Sequence, residues 1–272
     1  MLKKALLLFG TLSIAGSAVA ADITNPFYLV SEQGEIGFIA SADTRHIVEK
    51  NSEDYTKSHQ FTSRGKIHFG LTDSLALIGS IGNTREAWKG KWASYGQDGY
   101  VPRFSVRDHE NLNWSAGLGW NIFSGPARWQ ISTVYGQDRL KNFDGEYKYV
   151  AAETKLGYQF KRILPYITGD IEIPIGQKSG RKGVAGDKFS YSTKAGIYQG
   201  KCEVWTLDTG IRLSYNENRE ARIVAAEGEA SFYLTPKTAI SIYGSYVLDG
   251  KAKYNMEIDD DRSVGLKLRL FF

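Results

Sequence analysis

The sequence has very little cysteine, methionine and proline. Its 272 residues include 1 Cys, 2 Met and 6 Pro. A single cysteine excludes an internal disulfide, so other interactions must hold the fold together. Outside its first 20 residues the chain has no run of about 18–20 apolar residues, which excludes a bundle of membrane-spanning helices. Neither charge sign dominates, with 34 Lys+Arg against 30 Asp+Glu, so the charge balance does not indicate nucleic-acid binding.

Glycine and aromatic residues are abundant instead. The chain contains 29 Gly, 16 Tyr, 13 Phe and 6 Trp. Aromatic side chains favour strands and glycine favours turns, so this composition points toward an all-β protein. Apolar residues make up 42% of the chain, enough to bury a core, which excludes an intrinsically disordered protein.

The first 20 residues have the pattern of a secretory signal peptide. Lys3 and Lys4 precede an apolar stretch over 5–14, and Ala18-Val19-Ala20 matches a small-residue cleavage site. The apolar stretch is short for a membrane span, and no cysteine follows it to carry a lipid anchor. We therefore expect residues 1–20 to be removed on export through the periplasm and residues 21–272 to form one domain.

Apolar and polar residues alternate along most of the remaining chain, as strands with one apolar and one polar face require. About twelve strands are predicted, at 34–43, 58–71, 75–86, 109–120, 128–138, 147–160, 163–175, 188–199, 204–215, 221–234, 238–248 and 262–272. Strands of this length suit a tilted crossing of a bilayer better than a soluble sandwich, whose strands average about 5–6 residues. Short connections also alternate with longer ones, as in outer-membrane barrels. The sequence thus predicts a transmembrane antiparallel up-and-down β-barrel of about 12 strands.

The last strand carries a family resemblance. Residues 262–272 read RSVGLKLRLFF, and every second position is apolar up to the terminal aromatic: Val264, Leu266, Leu268, Leu270 and Phe272. This resembles the C-terminal strand of bacterial outer-membrane β-barrels. The resemblance implies the outer membrane of a Gram-negative bacterium as location, its lipids as surroundings and the barrel-assembly machinery as a partner during biogenesis.

The polar face of each strand is predicted to line the lumen. Closure of the barrel places the first strand between the second and the last, so their inward bases gather around Glu35 of the first strand: Arg64, Lys66, His68, Lys267 and Arg269. Acidic residues lie on strands 7 and 10, across the lumen: Asp170, Glu172, Glu227 and Glu229. Facing walls of opposite sign resemble the constriction of general porins, which select charged or dipolar solutes. The leading prediction is a narrow, porin-like channel for passive diffusion of small hydrophilic solutes.

Two other functions remain open. The same charges can form an internal salt-bridge network in a closed structural or adhesive barrel that transports nothing. An outer-membrane hydrolase is the third possibility. However, no histidine has a serine two positions on, and no metal-binding or phosphate-binding motif occurs. The sequence therefore predicts no enzyme, no metal and no cofactor.

Three peripheral features are also interpreted. Loop 87–108 carries the aromatic residues Trp88, Trp92 and Tyr95. We expect it either to bind sugars at the channel mouth by aromatic stacking or to pack as an extracellular cap. Arg85, Lys148 and Arg222 face outward near the long-loop rim, where they can pair with phosphates of anionic lipopolysaccharide. The acidic run over 259–261 is expected to be solvated. Oligomerisation is possible.

Overall fold

The computed structural model describes residues 22–29, 32–51, 55–96, 99–141, 145–178, 189–201, 204–217, 220–252 and 256–272. The predicted signal peptide lies outside this part. Twelve strands follow in chain order: β1 Ile36–Lys50, β2 Tyr55–Gly70, β3 Leu75–Gly96, β4 Gly99–Ser124, β5 Ala127–Leu140, β6 Gly145–Tyr158, β7 Ile163–Lys178, β8 Ser190–Lys201, β9 Trp205–Asn216, β10 Ala221–Thr235, β11 Thr238–Ala252 and β12 Met256–Phe271. No helix of the described residues is long and apolar enough to cross a membrane.

The strands close into one barrel. Each strand pairs antiparallel with its sequence neighbours, and β1 pairs with β12 from Gly37 opposite Phe271 to Lys50 opposite Glu257. Closure leaves no edge strand, so the ladder satisfies the backbone groups as a lipid environment demands. The predicted architecture and strand number are confirmed. We call the end with the β2–β3, β4–β5, β6–β7, β8–β9 and β10–β11 connections the turn end, and the opposite end the loop end.

The outer surface of the barrel is apolar. Ile81 and Leu266 are 60% and 59% exposed, although both are large aliphatic residues that soluble proteins bury. Outward aromatic residues form a band at each end. The turn-end band comprises Trp120, Phe123, Tyr158, Phe160, Trp205, Phe232 and Phe272, and the loop-end band comprises Phe61, Trp114, Tyr135, Phe189, Tyr191 and Tyr246. Two aromatic bands flanking an aliphatic zone are typical of barrels that span a bilayer.

Most of the predicted longer connections are strand instead. The prediction of a loop over 87–108 was wrong, because β3 and β4 pair from Trp88 opposite Arg107 up to Gly96 opposite Gly99. β1 likewise continues to Lys50. Backbone pairing does not require an apolar face, so a hairpin can extend past the aliphatic zone with polar residues on both sides. Such segments lose the two-residue period from which strands were recognised.

Candidate functional site

A short segment before β1 lies inside the barrel at the turn end. Residues 22–29 form two consecutive turns, in which Asn25 N donates to Asp22 O at 3.0 Å and Tyr28 N donates to Asn25 O at 2.8 Å. The Asn25 side chain accepts a further bond from Phe27 N at 2.9 Å. We call residues 22–29 the N-terminal plug. It was not predicted, since these residues show no strand period.

Apolar side chains of the plug contact the inner wall in three places. Phe27 packs with Leu164, Tyr166 and Tyr198; Ile23 packs with Ala239 and Phe271; and Leu29 packs with Ala76 and Ile78. Phe27, Ile23 and Leu29 are at most 4% exposed. These contacts lie on opposite sides of the barrel, so the plug extends across the lumen.

Polar groups of the wall hold the plug backbone and its acidic end. Asp22 Oδ1 accepts hydrogen bonds from the Tyr198 and Tyr233 hydroxyls at 2.5 and 2.6 Å. Three further wall side chains contact plug carbonyls: Gln130 Nε2 donates to Phe27 O at 2.9 Å, Lys155 Nζ donates to Pro26 O at 3.0 Å, and His68 Nδ1 lies 3.1 Å from Leu29 O. Hydrogen bonds from several strands therefore fix the plug in one position.

Two inward-facing glycines make room for the plug. A Cβ atom at Gly157 would lie 2.8 Å from the Phe27 ring, and one at Gly119 would lie 2.9 Å from the Leu29 methyl groups. Both distances are far below ordinary carbon–carbon contact. The barrel wall is thus shaped to receive the plug, and larger residues at these two positions would exclude it.

Two connected cavities lie in the lumen beyond the plug. Their volumes are about 560 and 450 Å³. Both are lined by Tyr28, Arg64, Lys66, His68, Glu153 and Lys155. The walls are mostly polar, and both Arg64 and Lys66 expose more than a third of their surface to this space. Charged groups with such accessible surface indicate water in the lumen rather than a dry core.

One acidic side chain contacts both bases of β12. Glu229 Oε2 lies 2.5 Å from Lys267 Nζ, and Glu229 Oε1 lies 2.5 Å from Arg269 Nη2. Arg269 also donates to the Ser241 hydroxyl at 2.5 Å. All three charged side chains are largely buried, since Glu229 is 17% exposed and Arg269 10%. Glu229 thus belongs to the basic wall and not to an opposing acidic one.

A second network joins β7, β8, β9 and β10. Arg212 contacts Glu227 at 2.6 Å and Asp170 at 3.5 Å. Lys194 contacts Glu227 at 3.5 Å and Asp208 at 3.4 Å. The expectation of two facing walls of opposite sign is therefore wrong for Glu227, Glu229 and Asp170. Inward side chains span one or two strands, so acids and bases on neighbouring strands pair locally.

The other predicted lumen residues have separate surroundings. Glu35 is buried near the plug, where it accepts a hydrogen bond from the Tyr28 hydroxyl at 2.8 Å. Glu172 accepts one from the Tyr147 hydroxyl at 3.0 Å. His68 is buried against Leu29 of the plug. The C-terminal strand alternates as predicted, with Val264 and Leu266 exposed on the outside and Phe271 buried inside.

The basic residues predicted at the rim face outward. Arg85 is 74% exposed and lies 3.8 Å from Glu110, and Lys148 pairs with Glu146 at 2.8 Å. Arg222 is exposed on β10. Lys141 Nζ donates a further hydrogen bond to Glu110 at 2.8 Å. Arg85 and Lys148 thus have acidic neighbours, and Arg222 has no ion pair with another described residue.

Two further sequence features are resolved in part. Trp88 lies within β3, whereas the side chains of Trp92 and Tyr95 lie outside the described residues. The acidic run is paired with bases rather than merely solvated: Asp259 with Lys50 at 2.6 Å, Asp260 with Arg262 at 3.4 Å, and Asp261 with Arg45 at 2.5 Å. In the described part of the chain, no three His, Cys, Asp or Glu residues form a potential metal site.

The side chains of His46, His59 and His68 are described, and none of them contacts a hydroxyl or thiol group of the described residues. His46 Nδ1 lies 3.2 Å from His59 Nδ1, and His46 Nε2 lies 3.9 Å from an Asp260 oxygen. His68 contacts a plug carbonyl. A serine hydrolase needs a hydroxyl within hydrogen-bond reach of its histidine. None of these three side chains has that arrangement.

Solved structures with the same fold were found, although no related sequence was. No protein-family model and no curated protein sequence matches this chain. An outer membrane channel from Pseudomonas putida F1 superimposes with a TM-score of 0.64 at 12% identity, covering 91% of this chain and 98% of that one. The translocator domain of the autotransporter NalP from Neisseria meningitidis gives 0.52 at 11% identity, covering 89% and 90%. The Ralstonia pickettii toluene transporter TbuX gives 0.50 at 10% identity, covering 94% of each chain. The chain therefore has the closed-barrel fold of bacterial outer-membrane proteins.

Proposed function

We propose that this protein is an outer-membrane channel through which small hydrophilic solutes diffuse, with the N-terminal plug restricting their passage. The main support is the lumen, which combines accessible charged side chains with cavities of about 560 and 450 Å³ inside a closed barrel. TbuX is described as a toluene transporter. The charged lining here suits hydrophilic solutes instead, because an apolar solute would have to displace water from ionised groups.

The outer-membrane location rests on the two aromatic bands and the aliphatic zone between them. In this location the turn end faces the periplasm. The exposed rim bases Arg85 and Arg222 are proposed to contact lipopolysaccharide phosphates, and Lys148 is proposed to do so in competition with Glu146. Recognition of the C-terminal strand by the barrel-assembly machinery stays a prediction.

Spin labels at two adjacent positions test the location. With Cys202 replaced by serine, a nitroxide at Leu266→Cys is expected to collide mainly with oxygen, because this outward position contacts lipid. A nitroxide at Lys267→Cys is expected to collide with oxygen much less often, because this position faces the lumen and not lipid. Electron paramagnetic resonance of the protein in lipid vesicles measures both. Equal accessibility at the two positions would contradict a bilayer-spanning barrel.

Thiol labelling inside the lumen tests transport. Ser41 lines the larger cavity, and Ala42 faces the opposite side of β1. In planar bilayers we expect discrete conductance steps that shrink by at least about half when Ser41→Cys reacts with a charged methanethiosulfonate, since the adduct narrows and charges the path. The matched Ala42→Cys protein should keep its conductance. Unchanged steps in both labelled proteins would mean that ions do not pass this cavity.

The closed structural barrel is the second candidate. The plug and the local ion pairs favour it, because both occupy lumen space that an open pore leaves to water. It predicts no conductance from the full chain or from any variant whose plug is displaced. The hydrolase alternative has no support in the contacts of the described histidines.

A further inference from the structure

Two neighbouring cations on β2 have no acidic contact partner among the described residues. Arg64 and Lys66 are two residues apart in one strand, so their side chains leave the same face of the sheet about 7 Å apart. Both side chains line the two lumen cavities. Neither forms a hydrogen bond or an ion pair with another residue of the described ranges. Their mutual repulsion is therefore uncompensated by direct contact.

The same pattern on β12 is compensated. Lys267 and Arg269 are also two residues apart and also face inward, and Glu229 binds both at 2.5 Å. The barrel thus supplies a carboxylate for one inward pair of cations and leaves the other pair without one. The two pairs lie on the strands that flank β1, but the β12 pair is largely buried whereas Arg64 and Lys66 are exposed to the cavities.

Bases outnumber acids among the charged groups that act on Lys66, although Asp138, Glu153, Asp170 and Glu172 also line the smaller cavity. Lys66 is repelled by Arg64, Lys155 and Lys267, and it is attracted by Glu153. Glu153 already contacts Lys155 at 3.2 Å. Asp138 interacts with Arg64 through space but forms no ion pair with it within 4.0 Å. The point between the two cavities is therefore favourable for a negatively charged group.

We propose that Arg64 and Lys66, with Lys155 beside them, form a binding site for a small oxyanion, a carboxylate or a phosphate. The guanidinium of Arg64 matches the two oxygens of such a group, and Lys66 adds a compact charge. The adjoining cavities have the volume of ordinary small-ligand pockets. The proposal names the solute class of the channel and rests on the proposed function for the route by which the anion arrives.

Calorimetric titration tests the site without any transport. The full chain, folded in a non-ionic detergent at low ionic strength, is titrated with succinate and with inorganic phosphate. We expect the unaltered protein to bind at least one of them, and R64Q/K66Q to bind it at least about tenfold more weakly because two charge-assisted hydrogen bonds are lost. K237Q, in an exposed turn, should bind as the unaltered protein does. If R64Q/K66Q does not fold, K66Q replaces it, with a smaller but measurable weakening.

The outcomes separate this site from the channel. No binding of either probe, or equal affinity in R64Q/K66Q and the unaltered protein, overturns the site. Weakening by the same factor in K237Q also overturns it, since general charge then explains the affinity. Binding in a protein that gives no conductance supports the site and rejects transport. Preference for one probe over the other supports the site and identifies which oxyanion it takes.

Discussion

Replacing Phe27 by alanine is expected to raise the ionic conductance of the barrel by one to two orders of magnitude. Phe27 is 4% exposed and packs with Leu164 and Tyr166, so the change removes most of the apolar contact that seats the plug. Such truncations cost about 3–5 kcal/mol, and about 1.4 kcal/mol is a factor of ten in an equilibrium constant. The ratio of seated to unseated plug should therefore fall at least about a hundredfold. Single-channel recording measures the open fraction directly.

The same displacement can be produced from the wall. Gly157→Leu leaves the plug sequence intact but places side-chain carbons where the Phe27 ring lies, so its conductance should match that of Phe27→Ala. Phe61→Ala is the control, because this residue faces outward at the loop end and does not contact the plug. Heat-modifiable migration on a gel verifies that each barrel is folded. If both plug variants conduct like the unaltered protein, the segment does not restrict the lumen.

Most of the barrel could be predicted from the sequence because one physical contrast recurs in every strand. Leu266 faces outward and Lys267 inward, and a two-residue period records that difference directly. Beyond the aliphatic zone both faces meet water, so the period disappears although pairing continues. That is why 87–108 reads as a loop in the sequence and forms a hairpin in the structure.

The sequence predicts which residues line the lumen, but not how their side chains pair. The alternation of inward and outward positions along a strand identifies the inward bases Arg64, Lys66, Lys267 and Arg269. It does not determine which acidic side chain contacts which base. Glu229 contacts the β12 bases across β11, which depends on side-chain length and barrel curvature rather than on sequence spacing. The plug could not be predicted from this alternation, because its residues form turns and not a strand. Its one available signal is an uncharged segment from Ile23 to Leu29 that lies between the predicted signal peptide and the first alternating strand.

The paired charges and the unpaired bases Arg64 and Lys66 make opposite demands on the hydration of the lumen. Locally paired charges such as Arg212 with Glu227 tolerate a narrow, poorly hydrated interior, whereas Arg64 and Lys66 need water or an anion. The plug occupies part of the lumen at the turn end, and both cavities are lined by plug residues as well as by wall residues. How dry the lumen is at the β12 pair therefore determines whether those charges are structural or available to solutes.

Removing the charge of Glu229 tests how well the lumen is hydrated around Lys267 and Arg269. Glu229→Gln leaves Lys267 and Arg269 without their carboxylate, and in a poorly hydrated interior the loss should lower the free energy of unfolding by about 3–5 kcal/mol. Urea unfolding of the protein in lipid vesicles provides the measurement. Glu32→Gln, at an exposed position of the turn end, should change stability by less than about 0.5 kcal/mol.

A triple variant separates lost charge pairing from lost packing. Replacing Glu229 by Gln together with Lys267→Met and Arg269→Met removes the uncompensated charges, so most of the lost stability should return. If Glu229→Gln alone costs less than about 1 kcal/mol, water hydrates both bases well enough to replace the carboxylate. The β12 pair would then join Arg64 and Lys66 as charges available to solutes. If Glu229→Gln instead costs the full amount of about 3–5 kcal/mol and the triple variant recovers most of it, the charges of β12 are structural. Selection among solutes would then depend on Arg64 and Lys66 of β2.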